Sequence, residues 1–328
     1  MRQFTVQSIY NQKRVDSFLF EMLPGTNSSV IFKAFRKRSI KVNDKRVKES
    51  FLLSTGDKVE AFIPDDYLKE PLNSGKTQEL LPLLVYEDNY ILIVSKPQGM
   101  PVHQDKNVEI LVLDHWVQAY IRKRDVNLPF ENGFPALCHR LDRNTGGLVV
   151  LAKDSKTLAL MENKFRQHEI KKTYICLVNG VPEKLSQELT GYLKKDSIKS
   201  RVFIYDHPIK NAERIITRYR TLKVMEAFSL LEVELITGKT HQIRAHLAYI
   251  GHPLIGDGKY GINEVNKALH LKWQALFAIR LIFDFNSPAG HLDYLKGKTV
   301  TLLEIPWEQG IKNLGLKNTD YFKFESKQ

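Results

Sequence analysis

The most constraining stretch of this chain is His139-Arg140-Leu141-Asp142-Arg143-Asn144-Thr145-Gly146-Gly147-Leu148, which runs into Val149, Val150, Leu151 and Ala152 and stops at Lys153. The apolar run reads as a buried strand. A carboxylate just before such a strand costs free energy unless something compensates its charge. Any fold for this chain must therefore bring a partner to Asp142. Two arginines flank it in sequence, so a structural salt bridge is one reading and a working carboxylate is the other.

At 328 residues with 43% apolar content, the chain suits two domains, or one large and one small, with a real core. The net charge of +12 and a pI near 9.4 create a field that attracts nucleic acid or an anionic membrane. No run approaches the roughly 18 apolar residues that a membrane helix needs. Residues Met1 to Tyr10 alternate like a strand and lack the apolar centre of a signal peptide. The expectation is a soluble, cytoplasmic protein without membrane contact. Cys138 and Cys176 have neither metal-ligand spacing nor a disulfide framework, and they read as small buried residues.

Two further segments stand out. One is Lys171-Lys172-Thr173-Tyr174, leading into Ile175-Cys176-Leu177-Val178-Asn179-Gly180. The other runs from Leu235 to Asp257 and contains Thr237-Gly238-Lys239-Thr240-His241-Gln242-Ile243-Arg244-Ala245-His246-Leu247 and Gly251-His252-Pro253-Leu254-Ile255-Gly256-Asp257. Thr237-Gly238-Lys239-Thr240 superficially resembles the end of a phosphate-binding loop. Val233 stands where that loop needs its first glycine, which excludes the reading. There is no dinucleotide fingerprint and no metal-ligand cluster.

Together these three segments resemble the pseudouridine synthases, in the branch that modifies ribosomal RNA and some tRNAs. The family's patterns are His-Arg-Leu-Asp, two variable residues and Thr-Ser-Gly-Leu; then Lys-x-Tyr at a strand start. The last is Thr-Gly-Arg/Lys-Thr-His-Gln-Ile-Arg-x-His-Leu followed by Gly-His-Pro-x-x-Gly-Asp. Lys96-Pro97-Gln98-Gly99-Met100-Pro101-Val102-His103 also matches the family's Lys-Pro-x-Gly-x-x-x-His loop, which reads as a structural turn. The resemblance implies an α+β fold with a mixed, largely antiparallel sheet and a basic cleft across it.

It also implies a reaction. Uridine becomes pseudouridine when the N1 glycosidic bond breaks, the uracil turns, and C5 bonds to the same sugar carbon. Nothing is oxidised and no group leaves, so no cofactor and no metal are expected. By resemblance Asp142 is the catalytic carboxylate. It attacks C1′, stabilises positive charge there, or takes a proton from C2′; the sequence does not choose. Each role needs the ionised form, which a fixed cation favours. Arg244 is that cation by resemblance, and its bidentate fork suits a carboxylate better than lysine would. Tyr174 lies against the uracil and helps remove the C5 proton. Arg140 fills the gap left by a flipped-out base, offsetting part of a cost of about a few kcal/mol. His103, His139, His241, Gln242, His246 and His252 read as hydrogen-bonding supports. Gly146 replaces the family's serine, and two adjacent glycines imply a looser loop.

The first 65 residues carry 12 Lys and Arg against 7 Asp and Glu. Arg14-Val15-Asp16-Ser17-Phe18-Leu19 opens one helix, and Ser28 or Ser29 starts a second with a basic end. Ile40 to Val47 reads as strand, Asn-Asp turn, strand, and Gly56-Asp57-Lys58-Val59 adds a turn and another strand. These four pieces are similar, in order, to the S4 RNA-binding module, a small α/β domain. That likeness implies that Arg36, Lys37, Arg38, Lys41, Lys45 and Arg46 contact phosphates. The expected organisation is an S4-like domain over 1–65, a linker over 66–82, a catalytic domain over 83–317 and a tail over 318–328. The expected partner is RNA, first of all large-subunit ribosomal RNA, bound by a monomer. A tRNA-modifying enzyme and a non-catalytic RNA-binding assembly factor are the alternatives.

Overall fold

The computed structural model describes residues 2–7, 10–23, 26, 28–63, 81–102, 112–124, 133–196, 199–316 and 320. They group into two compact units, Met1–Leu81 with Met100–Pro135, and Pro82–Gly99 with Ala136–Gln328. Apart from Leu81, Pro82 and Asp320, the expected linker and tail lie outside the described residues, as does His103.

The first unit holds β1 (Arg2–Thr5), α1 (Val15–Met22), α2 (Ser28–Arg36), β2 (Ile40–Val42), β3 (Lys45–Arg46), β4 (Lys58–Ala61) and α3 (Leu113–Arg124). Its strands form an antiparallel sheet in the order β1-β4-β2-β3. Asp16 sits in the first turn of α1, where the helix dipole favours a carboxylate, and Arg14 holds it at 2.6 Å. Asn43 and Asp44 both take positive φ, 50° and 63°, as a two-residue hairpin turn requires. Phe18, Leu19, Ile31, Ile40 and Val59 are completely buried beneath the two helices and the sheet. In α3 the buried residues are Leu113, Val117 and Ile121, spaced by four. Trp116 and Tyr120 stack on each other at 5.1 Å, with Tyr120 exposed.

The second unit is built on one sheet. Its elements are β5 (Leu83–Glu87), β6 (Ile91–Lys96), β7 (Ala136–Leu137), β8 (Gly146–Ala152), α4 (Ser155–Arg166), β9 (Ile170–Asn179), β10 (Ser186–Asp196), β11 (Arg201–Tyr205), β12 (Glu213–Val224), β13 (Phe228–Leu235), α5 (Gln242–Tyr249), α6 (Asn263–Ala268), β14 (Leu276–Phe283), β15 (Thr299–Thr301) and α7 (Gln309–Lys312). Among the described residues the strand order is β11-β10-β12-β13-β9-β14-β8-β6-β5, with β15 beside β14 and β7 beside β8. Only β14 and β8 run parallel, so the sheet is mixed and largely antiparallel, as expected.

The continuous apolar runs of β6 and β8 are buried along their whole length, which is why they do not alternate. Leu148, Val150, Ile175, Leu177, Phe277 and Phe283 belong to the core beside them. Asp154 caps α4 by accepting from the Thr157 N–H at 2.8 Å. Among the described residues no helix is long and apolar enough to cross a membrane.

Candidate active site

Asp142 sits in the turn that leads into β8. The Thr145 N–H donates to its carbonyl at 3.0 Å and closes the turn. Beneath it lies Lys96, fully buried at the end of β6, whose Nζ donates to the carbonyls of Pro97 and Arg143, each at 3.0 Å. Burial lowers the Lys96 ammonium to about 7, against the opposing pull of Asp142. Gln98 donates to the carbonyls of Asn144 at 3.2 Å and Gln274 at 2.6 Å, and the Gln274 amide donates to the Thr145 hydroxyl at 2.7 Å. Arg143 Nε reaches the Gly99 carbonyl at 3.0 Å. His139 Nε2 accepts from the Val150 N–H at 3.1 Å. The Lys96–Gly99 turn is thus a brace that fixes the backbone just after Asp142.

The expected looseness at Gly146 is not found. Gly146 is a buried strand residue, and a Cβ there would meet the Phe277 ring at 2.3 Å. Phe277 occupies the space that a serine side chain would need. Gly147 takes φ +106° so closely against Ala278 that a Cβ would stand 2.1 Å from its carbonyl oxygen. The glycines allow close packing of β8 on β14 rather than loop freedom.

Arg244 comes from α5, whose start is pinned by Gln242. That carboxamide accepts from the Lys239 N–H (3.0 Å) and the Thr237 hydroxyl (2.9 Å), and donates to the Ile216 carbonyl and the Thr217 hydroxyl, both at 3.0 Å. His241, at the helix N-cap, takes a left-handed φ of 55°. Arg244 Nη1 donates to Asp142 Oδ2 at 3.0 Å. The two-pronged grip expected on Asp142 goes elsewhere. Nε and Nη2 donate to the two oxygens of Asp257, at 2.7 and 2.9 Å. Burial pushes the Asp257 carboxyl up, but the hydrogen bonds and charge of Arg244 outweigh it and hold that carboxyl below its usual range. Asp257 also accepts from the backbone N–H groups of Lys259 and Tyr260. It therefore sets the guanidinium plane and leaves one prong for Asp142.

Asp142, Tyr174, Arg244, Arg140, Lys172 and His241 line one pocket of the second unit. Tyr174 is held in mid-sheet, with β9 paired to β13 and β14 on either side. Burial, with Asp142 nearby, pushes its phenol up, so it meets the pocket as a neutral O–H. His241 Nε2 stands 3.8 Å from Asp142 Oδ2, and its Nδ1 is 3.0 Å from the Tyr260 hydroxyl. Burial lowers this imidazole to about 4, which leaves it uncharged at neutral pH. Arg140 is exposed at the pocket wall. Arg36, Lys37, Arg38, Lys45 and Arg46 are exposed in the first unit, while Lys41 is half-buried with its ammonium 5.4 Å from the Phe62 ring centre.

Sequence reasoning missed Asp257, Gln98 and Gln274. Asp257 closes the third motif, and its signal was an acidic residue in the same motif as an arginine bound for the interior.

A family model described as RNA pseudouridylate synthase matches residues 90–249. The chain is 32% identical over 262 residues to the ribosomal large subunit pseudouridine synthase C of Buchnera aphidicola subsp. Baizongia pistaciae, covering 78% of this chain and 79% of that protein. It is 29% identical over 308 residues to the protein of the same name from Escherichia coli O6:H1, covering 92% and 91%. Human RNA Pseudouridylate Synthase Domain Containing 4 shares the fold at a TM-score of 0.56 and 22% identity, over 72% of this chain and 94% of that one. With its fold, its three motifs and its relatives in agreement, this chain belongs to the RNA pseudouridine synthase family.

Proposed function

We propose that the protein isomerises uridines in large-subunit ribosomal RNA and that Asp142 is its catalytic carboxylate. The observation that carries this reading is the chain of contacts from Asp257 through Arg244 to Asp142. It ends in a carboxylate with 24% of its side-chain surface exposed, in a pocket shared with Tyr174. A purely structural ion pair has no reason to leave one carboxylate open. The relatives' names, ribosomal large subunit pseudouridine synthase C, favour ribosomal RNA over tRNA as the substrate.

In this reading the target base leaves its stack and enters the pocket, and Arg140 at the wall fills the vacated space. Asp142 meets the sugar while the N1–C1′ bond breaks. Arg244 keeps the carboxylate oriented and charged. Tyr174 packs against the freed uracil as it turns, then C5 bonds to C1′. The proton lost from C5 is balanced by the one gained at N1. Residues 1–65 act as an S4-like module, with Arg36, Lys37, Arg38, Lys41, Lys45 and Arg46 holding RNA phosphates. Residues 83–317 supply the catalytic machinery, and the protein works as a cytoplasmic monomer.

Deleting the gene and mapping pseudouridine across ribosomal and transfer RNA tests the proposal. Sites in large-subunit RNA should vanish, return with the wild-type gene and stay absent with Asp142→Ala. Full restoration by Asp142→Ala would remove Asp142 from catalysis. Lost sites confined to tRNA would redirect the substrate. Bound RNA with no lost site would leave an assembly factor.

A further inference from the structure

We infer that Lys172 is the phosphate anchor of the pocket, its ammonium receiving a backbone phosphate next to the uridine being isomerised. The inference rests on the function proposed above and adds the group that seats the nucleotide.

Lys172 and Tyr174 are two positions apart on β9, so their side chains leave the same face of the strand, about 7 Å apart along it. Both line the pocket that holds Asp142. The neighbouring lysines are all paired. Lys171 meets Asp284 at 2.7 Å, Lys164 meets Glu169 at 2.6 Å, and Lys239 meets Glu213. Among the described residues no carboxylate, carbonyl or hydroxyl meets the Lys172 ammonium, and its Nζ is not sealed inside the protein. It rests 5.7 Å from the Phe165 ring centre. It also stands so near Gly238 that a Cβ there would lie 3.2 Å away, so the glycine makes room for the charge.

Burial lowers this ammonium from its usual value, with no acidic neighbour pulling the other way. A desolvated cation without a counter-charge is costly, and an incoming anion removes the cost. The chemistry of the substrate identifies that anion. Uracil and ribose are neutral, and the charged groups of RNA are its phosphates. Lysine binds phosphate as a point charge and needs no second prong. Asp142 occupies the sugar side, Tyr174 the base side, and Lys172 is left for the backbone.

The test uses an RNA stem-loop carrying the mapped uridine, with the phosphate on its 5′ or its 3′ side replaced by a neutral methylphosphonate, one at a time. Filter binding is read beside turnover, so the lysine is tested even where no uridine is isomerised. One of the two neutral linkages should weaken wild-type binding and raise KM about tenfold, with kcat changed less. Lys172→Met should show the same loss on ordinary RNA and no further loss on that linkage, while the other linkage affects both proteins equally. Lys172→Arg should recover most of the affinity. The thermal midpoint of Lys172→Met should be no lower than that of the wild type, since an unpaired charge is removed. Equal penalties for Lys172→Met on the charged and both neutral RNAs would overturn the assignment. Wild-type indifference to both linkages would overturn it as well.

Discussion

The pocket and the basic face of the first unit are both rich in arginine and lysine, yet they treat charge in opposite ways. Arg244 is buried, gives two prongs to Asp257 and one to Asp142, and has no freedom left. Lys37, Arg38, Lys45 and Arg46 are exposed, and among the described residues no acid pairs with them. A charge that must sit within a fraction of an ångström of reacting atoms is fixed by a carboxylate and removed from water. A charge that only has to attract a polyanion works best hydrated and unpaired. Substitutions in the two regions should therefore fail in different currencies, stability in one and salt-dependent affinity in the other.

The sharpest way to break that contrast is Asp257→Ala. It leaves Arg244 buried with half of its partners gone, and removal of one member of a buried pair costs about 3–5 kcal/mol. Urea unfolding should show a loss of that order, and turnover should fall even where the protein stays folded, because the prong on Asp142 is no longer aimed. Lys45→Ala, by contrast, should leave the unfolding midpoint where it was. An unchanged midpoint for Asp257→Ala would mean that Arg244 is not held as described.

A smaller effect is expected at Gly146. Restoring the family's serine puts a side chain into the Phe277 ring, and overpacking of this kind costs about 1–3 kcal/mol. Gly146→Ser alone should lower the thermal midpoint, and Gly146→Ser with Phe277→Leu should recover part of it. Simple additivity of the two changes would sink the idea that they compensate each other. This pair shows where sequence reading stops. β8 and β9 were legible because buried strands are continuous apolar runs, and Asp142, Tyr174 and Arg244 because each lies in a motif. The missing serine could be seen, but not its replacement by a ring from β14, because that contact depends on strand order rather than on local pattern. The long hairpins β10 to β12 were illegible for a related reason. Their residues face solvent on one side, and charged residues interrupt the apolar alternation.

Acid should next reveal two largely buried histidines, His241 of the pocket and His246 further along in α5. Burial lowers His246 and His241 to about 4. In the unfolded chain they take up protons near pH 6.5. Between those values the unfolded state binds more protons, so stability declines as pH falls from about 6.5 to 4. The carboxylates with lowered values, Asp257 among them, add their loss only below about 4. His246→Gln, whose carboxamide can keep a hydrogen bond with the Thr217 hydroxyl, should flatten the upper part of this decline. A decline that begins only below pH 4 would mean the imidazoles are not held neutral by the fold.

The basic face should show the smallest structural effect and the clearest ionic one. Changing Arg36, Lys37 and Arg38 to alanine alters the exposed end of α2 and the residue that leaves it with φ 55°, without touching the buried core of the first unit. The unfolding midpoint should barely move. If these side chains hold phosphates, each lost contact releases fewer counterions, and the slope of log affinity against log salt should become shallower by about 0.7 to 0.9 per contact. The same triple change should raise KM while leaving kcat near its wild-type value, because the chemistry proposed for Asp142 lies in the other unit. Two outcomes separate the regions further. An unchanged slope would mean that the exposed charge only solubilises the protein. A fall in kcat with an unchanged slope would mean that the patch shapes the pocket instead of holding RNA, and the division between fixed and hydrated charge would fail.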